Sequence, residues 1–327
     1  MHLGKIPNNL LEKLVISNIG QHRSDILIGP GVGKDCGVID FGEYACVLST
    51  DPITGTSSRI GYLGVHISCN DVVTTGAELI GILVTIMAPP NTVYEDIEEI
   101  MKDIEVGAKE LGVEVIGGHT EITDTVNQMV LSVTAIGKVK KKELLHPSRV
   151  QLGDDIIVTK TAGLEGTAII AYDKSQLLKQ QFGATFVEKA KSYMNYISVA
   201  KEGKIAAQFG ANAMHDATEG GVLGALWELG QAIDKGMVIY EENIPIAEET
   251  AAIAEFFNIN PLRLISSGTM IIISPDGEKL VDELKKNGID AAVIGKIVEE
   301  KGVWSISNGG KRIVEPPVGD ELYKALK

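Results

Sequence analysis

The run Val113-Glu114-Val115-Ile116 has the character of a buried strand and ends in Gly117-Gly118-His119-Thr120. A strand closing on paired glycines lets main chain approach a ligand closely. Three acidic positions precede it in comparable settings. Asp35 follows the glycine-rich stretch Gly29-Pro30-Gly31-Val32-Gly33-Lys34. Asp51 ends the strand-like run Cys46-Val47-Leu48-Ser49-Thr50-Asp51, and Asp71 lies in Ser68-Cys69-Asn70-Asp71, inside an expected helix. Glycine-rich backbone takes phosphate oxygens through its N–H groups, and carboxylates take a hard cation, so the set suits a magnesium-bound polyphosphate. Read singly, each segment is an ordinary turn with a solvated aspartate. The order of all of them along one chain carries the reading.

Length and charge narrow the field. A chain of 327 residues suggests two domains. Hydrophobic residues make up 44% and aromatic residues 5%, which favours Val/Ile/Ala/Leu packing of α/β type over aromatic stacking on bases. A net charge of −14 argues against a nucleic-acid partner and against an anionic membrane. It leaves nucleotide open, since a few N–H groups and Mg²⁺ bind phosphate locally. Cys36, Cys46 and Cys69 form no CxxC and no zinc spacing. With no apolar signal core and no run of about 18 apolar residues, a cytoplasmic protein is expected.

Along the chain, Asn8 or Asn9 is expected to cap a helix running to about Ile19. Cys36–Asp40 and Tyr44–Asp51 read as a hairpin turned at Phe41-Gly42-Glu43. Residues 60–77 read as a helix and 79–87 as a strand stopped by Pro89-Pro90. Residues 95–111 form an amphipathic helix with Ile97, Ile100, Met101, Ile104 and Ala108 on one side. Strands are expected at 113–116 and 129–139. Lys138–Lys142 reads as a solvated linker before a second unit. That unit has strands at 156–159, at 264–273 with an interruption at Ser266-Ser267-Gly268, and at 291–298, and one around Trp304. Its helices are expected near 165–172, across most of 186–209, and at 222–232 and 278–286. Strands alternate with helices in both halves, which gives an α/β (α+β) protein of two domains, 1–148 and 149–327.

The ordered segments Gly31-Val32-Gly33-Lys34-Asp35, Ser49-Thr50-Asp51-Pro52, Asn70-Asp71-Val72-Val73-Thr74-Thr75-Gly76-Ala77, Gly117-Gly118-His119-Thr120 and Met214-His215-Asp216-Ala217-Thr218-Glu219-Gly220-Gly221 resemble the aminoimidazole ribonucleotide synthetase (PurM-like) superfamily. The resemblance spans essentially the whole chain and is closest to the HypE-type hydrogenase maturation branch. It implies an N-terminal ATP-binding domain whose sheet pairs with that of a second subunit in a homodimer, and a C-terminal α/β domain. It implies Asp35, Asp51 and Asp71 as metal and phosphate carboxylates, with Asn70 supporting them. Gly31, Gly33, Gly117, Gly118, His119 and Thr120 would line the nucleotide. Asp216 and Glu219 would act from the second domain, approaching to close the cleft. ATP and Mg²⁺ are the implied cofactors, and a small-molecule substrate and a maturation protein are the implied partners.

Two departures stand out. Several family members carry an acid after the Gly-Gly pair, where this chain has His119; Glu121 is near enough in sequence to substitute. HypE-type proteins end in a tail with a cysteine that receives a carbamoyl group. This sequence ends Glu321-Leu322-Tyr323-Lys324-Ala325-Leu326-Lys327, with no cysteine after Cys69. That chemistry needs a mobile thiolate, so it is not expected here. Three readings follow: an ATP-dependent HypE-like enzyme activating an oxygen of a small molecule, a small-molecule kinase resembling thiamine-phosphate kinase, and a nucleotide-binding maturation partner without turnover.

Overall fold

The computed structural model describes residues 4–53, 59–308 and 310–327. Two compact units emerge. One is formed by Arg23–Gly29 with Asp35–Leu144. The other is formed by the described part of Met1–His22, Pro30–Lys34 and Leu145–Lys327. Helix α1 (Asn8–Leu14) therefore belongs with the C-terminal half, as does the glycine stretch 30–34. Pro7, not an asparagine, stands at its N-cap, and a short 3₁₀ turn replaces the expected continuation to Ile19.

The smaller unit is one six-stranded sheet. Strands β1 (Ile26–Ile28), β2 (Gly37–Phe41) and β3 (Tyr44–Ile53) precede helix α2 (Ile60–Thr74); β4 (Glu78–Ala88), α3 (Tyr94–Leu111), β5 (Glu114–Ile122) and β6 (Val130–Lys140) follow. The spatial order is β1-β2-β3-β6-β4-β5, and β4–β5 is the parallel pair. Period-two alternation orients the strands. Ile82, Val84 and Ile86 of β4 and Leu131, Val133 and Ala135 of β6 are buried. Leu83, on the other parity of β4, is exposed, as are Ile80 at a bulge of β4 and Ile116 and Ile122 of β5. Helix α2 is apolar nearly all round and accordingly buried along its length. Helix α3 is amphipathic. It buries Ile100, Ile104 and Ala108, leaves Met101 exposed, and starts where the Val93 N–H donates to Asp96 Oδ2 at 3.1 Å.

The larger unit carries the remaining elements: β7 (Asp155–Thr159), α4 (Leu164–Asp173), α5 (Ser175–Phe182), α6 (Ala184–Ser192), α7 (Ala200–Phe209), β8 (Ala213–Ala217), α8 (Gly221–Ala232), β9 (Gly236–Tyr240), α9 (Glu248–Phe257), β10 (Thr269–Ser274), α10 (Gly277–Lys286), β11 (Ala291–Val298), β12 (Gly302–Ser307), β13 (Gly310–Ile313) and α11 (Leu322–Leu326). They build a seven-stranded sheet in the order β13-β12-β9-β11-β7-β10-β8. One core gathers α8 residues Val222, Leu226 and Leu229 with Ile156, Val158, Ile271 and Ile273. Another gathers Leu280, Val281 and Leu284 of α10 with Ile157, Met270 and Ile272. The alternation of Ile156, Ile157 and Val158 between the two cores is the signature of a strand covered on both faces.

Three expectations change. The strand expected at 113–116 runs on to Ile122, so the Gly117–Thr120 stretch lies within β5 and not beyond it. Leu264 and Ile265 lie in a loop, and the strand starts at Thr269. Residues 213–217, ahead of the helix expected at 222–232, are strand β8, buried throughout.

Candidate functional site

In the smaller unit the expected carboxylates meet through a residue that the motif reading passed over. Alternation along β3 puts Ser49 and Asp51 on one side of the strand, the side on which Ala45, Val47 and Ile53 are buried. Ser49 Oγ donates to Asp71 Oδ2 at 2.5 Å, lies 3.5 Å from Asp51 Oδ2, and is 3.0 Å from the main-chain oxygen of Asp35. A hydroxyl owns one proton, so Ser49 serves one of these three oxygens at a time. Asp71 is 7% exposed and Asn70 fully buried, both on α2. Asp51 and Asp35 are half-buried. The structure thus brings Asp51, Asp71 and the Asp35 main chain around one hydroxyl. Arg59, just before α2, lies with its guanidinium 3.9 Å above the Tyr62 ring.

The glycine pair of β5 has a structural duty. A Cβ on Gly118 would stand 1.9 Å from the Val84 carbonyl oxygen of β4, and its φ is +152°. Close strand pairing therefore requires glycine here. Thr120, His119 and Glu121 follow on the same exposed strand, with His119 Nε2 at 3.4 Å from Glu121 Oε2. The acid considered as a substitute for His119 is thus its neighbour on the strand surface.

Among the other expected residues, Gly31 and Gly33 fall in the larger unit. A Cβ on Gly33 would lie 2.3 Å from the Glu228 carbonyl oxygen at φ +70°, so this glycine serves packing against α8. Cys69 is buried, which pushes its thiol up to about 12; it is not a nucleophile. His66 is a packed histidine, its Nε2 3.3 Å from Glu110 Oε2 and its ring against Tyr62. Lys160, φ +54°, donates its three protons to the Ser198 and Gly268 carbonyls at 2.7 Å each and to the Glu202 carboxylate. An ammonium has three donors, so this lysine is a structural rivet.

The larger unit has its own acid cluster around Asp216–Gly221. Asp216 is 2% exposed on β8. Glu219 Oε2 accepts the Lys5 main-chain N–H at 2.9 Å. Burial raises the Glu219 carboxyl above its ordinary range, against the pull of Lys5. Glu228 on α8 accepts Lys5 Nζ at 3.0 Å and lies 3.4 Å from His215 Nε2. Burial alone would raise Glu228, but His215 and Lys5 outweigh it and hold the carboxyl at about 2. Asp320 accepts the N–H groups of Gly220 at 2.7 Å, Leu322 at 2.8 Å and Ile265 at 3.1 Å. Burial nonetheless lifts its carboxyl to about 6. Glu165, in the first turn of α4, is 3% exposed. Burial, with Asp320 and Asp216 adding to it and Ser267 opposing, pushes Glu165 up to about 7. No sequence motif pointed to Lys5, Glu165, Glu228 or Asp320. Their long-range contacts include pairs 55 and 223 residues apart in sequence.

Residues 33–139 match the AIR synthase related protein N-terminal domain, and residues 151–306 match its C-terminal domain. A hydrogenase expression/formation protein of Methanocaldococcus jannaschii is 30% identical over 98% of this chain and 96% of its own length. The carbamoyl dehydratase HypE of Bradyrhizobium diazoefficiens is 26% identical over 89% of this chain and 86% of its own. Among solved structures, the chain from a HypE–HypF complex superposes with a TM-score of 0.78 at 22% identity, covering 94% of this chain and 99% of that one. ThiL solved with AMPPCP and TMP gives 0.77 at 19%, covering 98% of each. HypE solved with ATP gives 0.71 at 19%, covering 97% and 96%. At these identities the structures speak to the fold, which is PurM-like α/β. Among the described residues no helix is long and apolar enough to cross a membrane.

Proposed function

Because the chain belongs to the AIR synthase related protein family in both its N-terminal and C-terminal domains, we propose that it is an ATP- and Mg²⁺-dependent enzyme that activates an oxygen of a small molecule by phosphoryl transfer. The observation that carries this is the gathering of Asp51 and Asp71 around the single proton of Ser49. Carboxylate and hydroxyl oxygens gathered in this way are hard donors of the kind a divalent cation takes. Relatives are carbamoyl dehydratases, and PurM-like chains have been solved with ATP or an ATP analogue.

In this reading Asp35, Asp51 and Asp71 hold the metal, Ser49 fixes the rotamer of Asp71, and Asn70 supports it. Bound Mg²⁺ supplies charge neutralisation for the phosphates. Gly117, Gly118, His119 and Thr120 lie on the nucleotide side of the smaller unit, and Gly31 and Gly33 shape the glycine stretch before it. The substrate oxygen forms its bond to the γ-phosphorus as the bond to the ADP oxygen breaks. Of the two carboxylates Asp216 and Glu219, Glu219 takes the proton that the nucleophile gives up and Asp216 supports it. Glu219 suits that role because burial raises its affinity for a proton.

A kinase acting on a small alcohol or phosphate is the second reading, favoured by the full-length likeness to ThiL. Incubating the protein with Mg²⁺-ATP and a metabolite extract, then following ADP and new phosphorylated species by mass spectrometry, separates the two. A stable phosphorylated product favours the kinase, and ADP with free phosphate and a dehydrated or cyclised product favours the first reading. Saturating Mg²⁺-ATP at one hundred times its Kd is expected to stabilise the fold by about 2.7 kcal/mol. No heat of binding in calorimetry would sink both readings.

The protein also acts as a homodimer in this reading. The smaller sheet exposes Ile80, Leu83, Ile116 and Ile122, apolar area of a kind that partner subunits cover. Light scattering at micromolar protein should give twice the chain mass; a monomer contradicts it. A maturation protein is the further partner proposed, by analogy with the HypE–HypF complex.

A further inference from the structure

The carboxylate of Asp320 is 5% exposed and sits where three separate chain segments converge. Its Oδ2 takes the Gly220 N–H, and its Oδ1 takes those of Ile265 and Leu322. The segments are tied further to one another. The Thr218 carbonyl accepts from Gly221 at 3.0 Å and from Ser266 at 3.3 Å. The Ile265 carbonyl accepts the Gly166 N–H at 2.9 Å, beside Glu165 in the first turn of α4. Gly163 N–H donates to Ser266 Oγ. One buried anion thus sets the 218–221 turn, the 263–268 loop and the start of α11, and through the second of these the start of α4. Pro317 closes the arrangement over Gly220.

A buried carboxylate is costly unless donors surround it. A short helix such as α11 needs no anion to dock, because Leu322 and Ala325 are already buried. The charge is spent on the two loops. The Asp216–Gly221 segment is the one that carries the carboxylates proposed to handle the proton. We propose that Asp320 is a positioning residue for that turn, fixing Asp216 and Glu219 in their working arrangement. This rests on the reading given under Proposed function.

Two variants of the full chain test it. Asp320→Asn keeps the shape but removes the charge and turns an amide donor toward one of the three N–H groups. Leu322→Ala loosens α11 and leaves the carboxylate in place. For Asp320→Asn, amide hydrogen exchange at Gly220 and Ile265 should rise about tenfold or more while the amides of β7 hold their protection. ADP formation from Mg²⁺-ATP and metabolite extract should lose about tenfold or more in kcat, with KM for Mg²⁺-ATP within about twofold. Leu322→Ala should keep kcat at any matched loss of stability. Equal losses of kcat in the two variants, or unchanged exchange at Gly220 and Ile265, overturn the proposal. If Asp320→Asn does not fold, the wild-type protein decides. Exchange at Gly220 should speed up relative to β7 as the pH falls through about 6, where Asp320 takes its proton, and a constant ratio overturns it. A wild-type protein that makes no ADP fails the functional reading alone, and exchange still decides whether Asp320 sets the turn.

Discussion

The two acid clusters of this protein are built on opposite principles. In the smaller unit, Ser49 offers one proton to Asp71, Asp51 and the Asp35 carbonyl. In the larger unit, Asp320 alone collects three main-chain donors, and Glu228 has Lys5 and His215. Main-chain donors are fixed by the fold and cannot leave, so carboxylates satisfied by them frame a structure. Carboxylates gathered with a hydroxyl are hard oxygens of the kind a divalent cation takes. Asp320 thus frames its loops, whereas Asp51 and Asp71 gather at Ser49 as the candidate cation site.

The largest expected effect probes the frame. Glu165 is an acid whose folded-state pKa, about 7, stands above its ordinary value of 4.5. A raised acid binds its proton more tightly when folded. Its contribution is fully present below the ordinary value and is lost as the pH rises through about 7. Glu165→Gln removes that loss. The variant should be more stable than the wild type at pH 8 by up to about 3 kcal/mol, with the advantage shrinking toward zero at pH 5. Urea unfolding at the two pH values measures it. A variant less stable at pH 8 than at pH 5, relative to wild type, would show that Glu165 is ionised and paired.

The next effect probes the candidate site. Asp71→Asn should weaken Mg²⁺-ATP binding by about 2 kcal/mol, roughly thirtyfold, and leave the melting temperature near that of wild type. Calorimetry and melting on one preparation check both. A large drop in melting temperature with unchanged affinity would move Asp71 into the frame class and erase the contrast between the clusters.

The smallest effect sharpens the contrast at its edge. Lys5 is half-exposed while its partner Glu228 is 5% exposed. Lys5→Ala should cost about 1 kcal/mol at pH 7. A depressed acid such as Glu228 stabilises above its ordinary value and loses that contribution as the pH falls through about 2. The cost should therefore persist at pH 5. A cost that vanishes at pH 5 would assign the stability to another group.

Much of the scaffold was legible because periodicity is local. Helices α2, α3 and α10 and strands β4, β6 and β11 stand within a few residues of where apolar spacing puts them. The misses share a cause. Gly117 and Gly118 interrupt the strand pattern, yet β5 continues because β4 pairs with it residue by residue. Leu264 and Ile265 look like strand but are held in a loop by Asp320. His215 and Asp216 disguise β8, whose two faces are both covered.

By itself, the sequence determined the family, the order of its glycine and acidic segments, and the chemistry available at Asp35, Asp51, Asp71, Asp216 and Glu219. Only the tertiary structure decided which donor meets which acid. Ser49 reaches Asp71 across 22 residues, and Asp320 reaches Gly220 across 100. Such pairings depend on how α2 lies against β3 and how the C-terminal segment packs on the Gly220 turn. Burial and packing set those contacts, and neither leaves a period in the chain.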